Sequence, residues 1–219
     1  MTHKRLASTL IDLSHTIDPS ISVYPGTPAP GIEQIASVKA DGYAEWKLTL
    51  TTHMGTHIDA PAHMVVGGKT LDQYAPESFV GDALVIDCRA PGPHISLDWL
   101  KPWELQIDVV DFALLYTGWS AKWSTADYLT GYPVLTKDAA QWLANKSLKG
   151  IGMDTISPDP LEAHHYPIHH ILFKQELLII ENLTNLEVLA GQVFQLVCLP
   201  LKVDRSDAAP ARAIAILPR

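Results

Sequence analysis

The hydrophobic positions along the chain fall in short apolar or alternating runs bounded by Gly, Pro and Asp, a pattern typical of β-strands. Eight such runs predict strands at residues 9–14, 46–53, 82–88, 109–117, 150–154, 176–182, 193–201 and 212–217. Some runs, such as the four consecutive apolar residues at 177–180, are continuous rather than alternating. Continuous runs indicate strands buried on both faces, as in sheets that helices cover.

Helical patterns are fewer. Residues 137–146 repeat apolar positions at helical spacing, with Thr136 as a candidate N-cap. A second helix is predicted at residues 167–174, because Pro167 fits the first turn of a helix, where its missing N–H is not needed. No linker, repeat or low-complexity tract divides the chain. The pattern therefore predicts an α/β fold, richer in strand than in helix, in a single domain spanning residues 1–219.

Composition excludes several classes of protein. Of the 219 residues, 47% are hydrophobic, which is too many for a disordered chain. No apolar run approaches the length of about 18 residues that a membrane span requires, so we expect no membrane partner. The formal charge of −8, without clusters of Lys or Arg, argues against binding to nucleic acid.

The N-terminus and the cysteines indicate a cytoplasmic protein. Lys4 and Arg5 precede a stretch that Asp12 interrupts before the apolar core of a signal peptide can form. Cys88 and Cys198 each lie inside an apolar run, which predicts two buried thiols rather than a disulfide.

Ten histidines change the picture, because three lie within residues 53–63 and four within residues 164–170. In the first window, His53, His57, Asp59 and His63 combine imidazole nitrogens with a carboxylate, a ligand set that suits Zn²⁺, Mn²⁺ or Fe²⁺. Four potential ligands in eleven residues favour a metal site. The alternative is that these are surface or core histidines at the end of a strand.

The backbone must bend if these ligands are to meet at one ion. In a straight strand His53 and His57 would lie roughly 13 Å apart. Gly55 can supply the bend, because glycine tolerates the backbone angles of a bulge or tight turn. Pro61 holds Ala60 extended and closes the segment.

The second window precedes an apolar run that ends at Glu181. A carboxylate at the end of a buried strand needs a strong partner. A metal ion is one candidate, and Arg205 or Arg212 is the alternative. His169 and His170 lie at the start of the second predicted helix. His164 and His165 lie in a polar loop, where we expect them to be solvated.

The string His-Met-Gly-Thr-His-Ile-Asp-Ala-Pro-Ala-His at 53–63 resembles the HxGTHxDxPxH signature of the cyclase family of metal-dependent hydrolases. That family includes bacterial kynurenine formamidases and isatin hydrolases. Shorter matching segments follow the rest of the chain, at residues 12–14, 23–26, 117–119, 152–154, 157–159, 181–183 and 199–202. The resemblance implies a mixed β-sheet of the swivelling β/β/α type with few helices, assembled as a homodimer or homotetramer.

The resemblance also implies the roles of individual residues. It assigns His53, His57 and Asp59 to one divalent metal ion, His169 to a second, Glu181 and Asp59 to both, His63 to acid/base catalysis and Tyr24 to substrate contact. Zinc is the expected metal and manganese the alternative, with one or two ions per subunit. A role for His63 in orienting a ligand is the alternative to catalysis.

The implied reaction is hydrolysis of an amide or lactam C–N bond in a small aromatic or cyclic substrate, by water that the metal activates. Tyr24, Trp119 and Trp46 could line a slot for a planar substrate, although tryptophans more often belong to cores. Two departures from the family pattern fall at the expected mouth of this slot. Tyr24 stands where many formamidases have tryptophan, and Thr27 where many relatives have aspartate, so the substrate is left open.

Two other classes of function remain. His57, Asp59 and His169 also satisfy the two-histidine, one-carboxylate pattern of Fe(II) oxygenases, although that triad leaves the other candidate ligands unused. A non-catalytic protein with a structural metal is the third possibility. Structural zinc sites, however, usually have four Cys or His ligands and no open position.

Overall fold

The computed structural model describes residues 9–89 and 92–217; the N-terminal segment with Lys4 and Arg5 lies outside these ranges. Twelve strands are described, in this order: β1 (Thr9–Asp12), β2 (Gly31–Ala36), β3 (Glu45–Thr49), β4 (His57–Asp59), β5 (Val80–Asp87), β6 (His94–Ile95), β7 (Phe112–Tyr116), β8 (Val134–Leu135), β9 (Gly150–Met153), β10 (Leu178–Glu181), β11 (Val193–Pro200) and β12 (Ala208–Leu217).

Helices in the described ranges are short. The five α-helices are α1 (Val38–Asp41), α2 (Leu97–Leu100), α3 (Glu104–Ile107), α4 (Lys137–Ala144) and α5 (Pro167–Phe173). Single 3-10 turns add Pro61–His63, Leu71–Gln73, Pro76–Phe79, Lys101–Trp103, Trp119–Lys122, Ala126–Leu129 and Leu186–Leu189. No helix in the described part of the chain is long and apolar enough to span a bilayer.

Eight strands form one mixed sheet in the order β1-β12-β11-β5-β7-β9-β10-β4. Strands β5, β7, β9 and β10 are parallel, whereas β1, β4, β11 and β12 join through antiparallel pairs. The first residues of the long strand β12 also pair with β4, so the sheet closes on itself like a barrel. The mixed sheet with few helices confirms the predicted α/β class.

The central strands face two hydrophobic cores, because successive side chains of a strand point to opposite faces. Leu115, Met153 and Ile179 pack under α4 and α5 on the outer face. Leu114 and Ile180 point into the interior of the closed sheet. Strands β7, β9 and β10 are buried along their whole length, which confirms the reading of continuous apolar runs.

Strands β2 and β3 pair only with each other, in a hairpin that we call the arm (residues 31–49). The predicted strand at 46–53 therefore ends at Thr49, four residues before His53. Every residue of β3 is exposed. The pattern at 46–53 thus predicted a strand, and the structure shows that strand with both of its faces exposed.

Most predicted elements are confirmed, with shifts at their ends. Helix α5 begins with Pro167 in its first turn, and α4 begins after Thr136, whose side chain does not cap the helix. Strand β12 begins four residues before the predicted start at 212, despite Pro210. Short strands β2, β4, β6 and β8 were not predicted. Cys88 and Cys198 are both free and buried, as expected.

Candidate metal and active site

The predicted bend lies at Gly55, which adopts the left-handed φ of +63°. A Cβ at this position would lie 2.9 Å from Cγ1 of Ile17, so the turn requires glycine for both conformation and space. After the turn, β4 places His57 and Asp59 on the same face of the strand, two residues apart. The local chain thereby delivers two buried ligands side by side.

Two further elements complete the cluster. Glu181, the last residue of β10, pairs directly with His57 in the antiparallel register of β4 and β10. Its Oε2 lies 3.3 Å from Nε2 of His57, and its Oε1 lies 3.5 Å from Nε2 of His169 on α5. Oδ1 of Asp59 lies 3.3 Å from the same His57 nitrogen and 2.9 Å from Nδ1 of His53. All five predicted metal ligands therefore converge.

Protein oxygens hold the far nitrogens of two histidines. Nδ1 of His57 lies 2.9 Å from the carbonyl oxygen of Gly55, and Nδ1 of His169 lies 2.7 Å from Oδ2 of the fully buried Asp159. If each Nδ1 carries the donated hydrogen, each Nε2 presents a lone pair towards Glu181. Metal-binding histidines are oriented in this way by hydrogen bonds to their other ring nitrogen.

The atoms that meet in the centre lack hydrogen-bond partners within the described residues. They are Nε2 of His57, both carboxylate oxygens of Asp59 and Oε1 of Glu181, all buried. Lone pairs facing carboxylate oxygens repel each other unless a cation lies between them. The donor set, imidazole nitrogen with carboxylate oxygen, fits zinc or manganese.

The pKa values of the clustered histidines and of Asp59 also indicate that the cluster favours bound positive charge. Although burial opposes protonation, Asp59 and Asp207 raise the pKa of His53 to about 9. Burial likewise opposes protonation of His169, but Asp159 and Glu181 raise its pKa to about 9. The pKa of Asp59 lies well below its usual value because His53 and His57 outweigh its burial. In the metal-free chain, protons therefore supply part of the charge that a cation would supply.

Asp207, which sequence reasoning missed, joins His53 to His63. Its Oδ2 lies 2.9 Å from Nε2 of His53 and 3.4 Å from Nδ1 of His63. These two hydrogen bonds lower the pKa of Asp207. The rings of His53 and His63 are only 4.0 Å apart between centroids. His63 is therefore held at the edge of the cluster with a side chain that is 24% exposed.

Among residues 9–89 and 92–217, three groups of His, Asp or Glu side chains have ligand atoms within 4.8 Å of one another. One is the predicted set of His53, His57 and Asp59. The others both contain His63, which joins His53 and Asp207 in one group and Asp59 and His169 in the other. The geometry thus brings His63 to the place predicted for it, and leaves both predicted roles, proton transfer and contact with a metal ligand, as predictions.

Asn182 supports the bend and was also missed. Its Nδ2 donates to the carbonyl oxygen of Gly55 at 2.8 Å, and its Oδ1 accepts from the buried Tyr128 hydroxyl at 2.7 Å. Its own carbonyl oxygen accepts from Thr56 Oγ1 at 2.6 Å. Asn182 directly follows Glu181, which was the one available signal. Asp159 and Asp207 lie in polar loops. Neither the loops nor the neighbouring residues distinguish these two aspartates from the others in the sequence.

A cavity of about 230 Å³ opens onto the cluster. Tyr24 lines it, as predicted, together with Tyr166, Met64 and Ile156. The two tryptophans offered for the slot do not line this cavity, so that expectation is corrected. Trp119 is held outside the cavity because it donates its indole N–H to the Tyr128 carbonyl. Trp46 lies on the arm, where it is 55% exposed.

The arginine alternative for Glu181 is wrong. Arg212 forms an exposed ion pair with Asp12, and Arg205 pairs with Asp204. Glu181 instead faces two imidazoles, because the register of β4 and β10 sets it against His57. His164 and His165 are exposed, as expected.

Comparisons with known proteins agree with this geometry. Residues 11–160 match the sequence model of the Cyclase family. Kynurenine formamidase of Maricaulis maris is 32% identical over 207 residues, covering 93% of this chain and 95% of that enzyme.

Solved structures extend the likeness to the fold. Isatin hydrolase A from Ralstonia solanacearum is 26% identical with a TM-score of 0.85, over 96% of this chain and 92% of that one. A structure described as a potential metal-dependent hydrolase with cyclase activity is 30% identical with a TM-score of 0.83, over 97% and 99%. The likeness thus reaches well beyond the eleven-residue signature, to nearly the whole chain.

Proposed function

Because the chain belongs to the cyclase family of metal-dependent hydrolases and is an amidohydrolase, we propose that it cleaves the C–N bond of an N-formyl arylamine or a cyclic aryl amide. The observation that carries the proposal is the convergence of His53, His57 and His169 on Asp59 and Glu181 at the floor of a small cavity. The names of the relatives support the aryl amide class.

The proposed ligands are those the sequence predicted. A bound divalent ion would lower the pKa of its water to about 7 and polarise the substrate carbonyl. His57, Asp59 and Glu181 would hold the ion where the cavity ends, and Asp159, bonded to Nδ1 of His169, would keep that imidazole facing it. We propose zinc as the resident metal, with manganese as the alternative, and two ions per chain because Asp59 and Glu181 each face two histidines.

His63 is the proposed proton donor to the leaving nitrogen. Its Nδ1 is held by Asp207, which leaves Nε2 free to exchange a proton with the substrate. Positioned acids and bases of this kind contribute about 10²–10⁴-fold to rate. We expect His63→Asn to lower kcat by at least about 100-fold with metal content unchanged. A matching loss of metal would identify His63 as a ligand instead.

The test of the function is metal-dependent turnover. The chain is stripped with a chelator, reloaded with Zn²⁺ or Mn²⁺, analysed for bound metal and assayed against N-formylaniline and isatin by absorbance. We expect activity only in the loaded protein, with or without oxygen, and its loss in His169→Gln. The control is His170→Gln, because His170 is the neighbour on α5 that does not contact the cluster. Turnover by the stripped protein, or equal activity of the two variants, would contradict the proposal.

Dependence on oxygen would instead favour the Fe(II) oxygenase. That triad leaves His53 and Glu181 without a role, although both contact the cluster. The hydrolase uses every converging group, which is why it is preferred.

We also propose that the chain assembles as a homodimer through the arm. In the register of the arm, Trp46 pairs with Gln34 and Leu48 pairs with Ile32, and these four residues share one face. Lys47 pairs with Glu33 on the other face. Trp46 and Leu48 are 55% and 60% exposed. Ile35, Val38 and Tyr43 of the arm are also 52%, 68% and 57% exposed, so the arm presents apolar side chains that a second copy of the chain would cover.

The assembly is tested by light scattering after size-exclusion chromatography. We expect Leu48→Lys to shift the mass from dimer to single chain. Thr49→Lys adds the same charge to the adjacent residue, which is also exposed but on the opposite face, and should leave the dimer intact. A single-chain mass for the unmodified protein would overturn the assembly without touching the hydrolase proposal.

A further inference from the structure

Two consecutive residues at the mouth of the cavity adopt left-handed backbone angles. His165 has φ of +71° and Tyr166 has φ of +40°, and neither is Gly or Asn. Such conformations cost energy, and they cluster where a site needs a particular side chain in a particular place. The His165 side chain is exposed, whereas Tyr166 lines the cavity. The strained turn therefore delivers one side chain to the site, that of Tyr166.

Tyr166 is linked to the second aromatic residue of the cavity. Its hydroxyl lies 3.3 Å from that of Tyr24, which donates to the carbonyl oxygen of Leu161 at 3.3 Å. Since Tyr24 donates its only hydroxyl hydrogen to Leu161, Tyr166 is the donor to Tyr24. Two loops 142 residues apart thus contribute one continuous aromatic wall.

This wall lies beside the metal cluster. The ring of Tyr166 approaches the imidazole of His169 edge-on, with centroids 6.1 Å apart and planes at 88°. Met64 and Ile156 add apolar surface to the same cavity. A substrate whose carbonyl reaches the cluster therefore places the group on its nitrogen among aromatic and apolar side chains.

We propose that Tyr166 is a specificity-determining residue that, together with Tyr24, binds the aryl ring on the substrate nitrogen. The inference rests on the proposed function, because it names the substrate class of the same site. Aromatic rings pack favourably edge-to-face or offset on one another, so a planar aryl group gains more from this wall than an alkyl chain.

The test compares two formamides in the zinc-loaded enzyme: N-formylaniline, which has the ring, and N-propylformamide, which lacks it. We expect Tyr166→Ala to raise KM for N-formylaniline about tenfold, with kcat, bound zinc and KM for N-propylformamide within about twofold of the unmodified enzyme. Tyr166→Phe keeps the ring and should retain the aryl preference. The control is His165→Gly, which relaxes the adjacent strained residue and should leave both KM values unchanged.

Other outcomes overturn the inference. An equal rise in KM for both substrates shows that Tyr166 does not select the ring. A loss of zinc together with kcat shows that the residue acts only by placing α5. If the unmodified enzyme hydrolyses neither formamide, calorimetric binding of N-formylaniline to the zinc-loaded protein decides the inference, and the proposed function fails only if isatin is not hydrolysed either. About tenfold weaker binding by Tyr166→Ala supports it; equal binding, or none by the unmodified protein, overturns it.

Discussion

Asp159 offers a sharp test of how the site is held, because one buried carboxylate serves three donors. Oδ1 accepts from the backbone N–H of Ile168 at 2.9 Å, and Oδ2 accepts from the backbone N–H and Nδ1 of His169, at 3.0 and 2.7 Å. Asp159→Asn keeps the shape and replaces one oxygen with an NH₂ group. Whichever way the amide turns, a donor then faces a donor.

The magnitude follows from this count. The least damaging orientation loses the bond to Ile168 and turns two hydrogen bonds to a charged oxygen into bonds to a neutral one. Bonds to charged groups contribute about 1.5–3 kcal/mol and neutral ones about 0.5–1.5, so one lost bond and two weakened ones should lower the free energy of unfolding by about 3.5–6 kcal/mol. Removing a hydrogen bond that orients a metal-binding histidine typically costs 10–100-fold in metal affinity.

Two measurements check the prediction. Urea unfolding of the chelator-treated protein gives the stability, and competition for Zn²⁺ with a chromophoric chelator gives the affinity. Glu162→Gln is the matched control, since it makes the same acid-to-amide change at an exposed position of the same loop. Wild-type zinc affinity and stability in Asp159→Asn would show that this carboxylate does not orient His169.

Three further predictions concern the surroundings of the site. Gly55→Ala should destabilise the chain more than Gly67→Ala does. Both glycines have positive φ, but only a Cβ at position 55 would meet Ile17. We expect the backbone strain alone to cost about 1–3 kcal/mol in each variant, measured by urea unfolding. Tyr128→Phe leaves Oδ1 of Asn182 buried without its donor and should cost about 1–3 kcal/mol in the same assay; no change would contradict the network around Gly55. Burial lowers the pKa of His15, stacked on Trp123, to about 4, so the folded chain keeps it neutral while the unfolded chain takes up a proton near pH 6.5. The free energy of unfolding should therefore fall as the pH drops from about 6.5 to about 4. At pH 5, His15→Phe should remove about 1 kcal/mol of that loss, a figure reduced for the partial exposure of the ring. Identical pH profiles of stability for the variant and the unmodified protein would contradict this.

The sequence alone predicted three ligands of the site from local chain geometry, and the resemblance to the cyclase family added His169. His53, His57 and Asp59 lie within seven residues around Gly55, where the need for a bend can be deduced from strand spacing. Glu181 was identifiable because a carboxylate at the end of a buried strand demands a partner. The central strands and α5 were also predictable from local sequence. Continuous apolar runs indicated the buried strands, and a proline suited to the first turn indicated the start of α5.

Only the tertiary structure decided what holds those ligands and what surrounds them. Asp207 reaches His53 across 154 residues because β12 leaves β1 and β11 to pair with β4 and closes the sheet. No local pattern carries a contact of that kind, since polar loop residues look alike until the fold brings one of them to a histidine. The residues of β3 show the converse, because their pattern predicted a strand but did not reveal that the fold leaves this strand fully exposed on the arm. Periodicity encodes which face of an element is apolar; packing alone determines what, if anything, covers it.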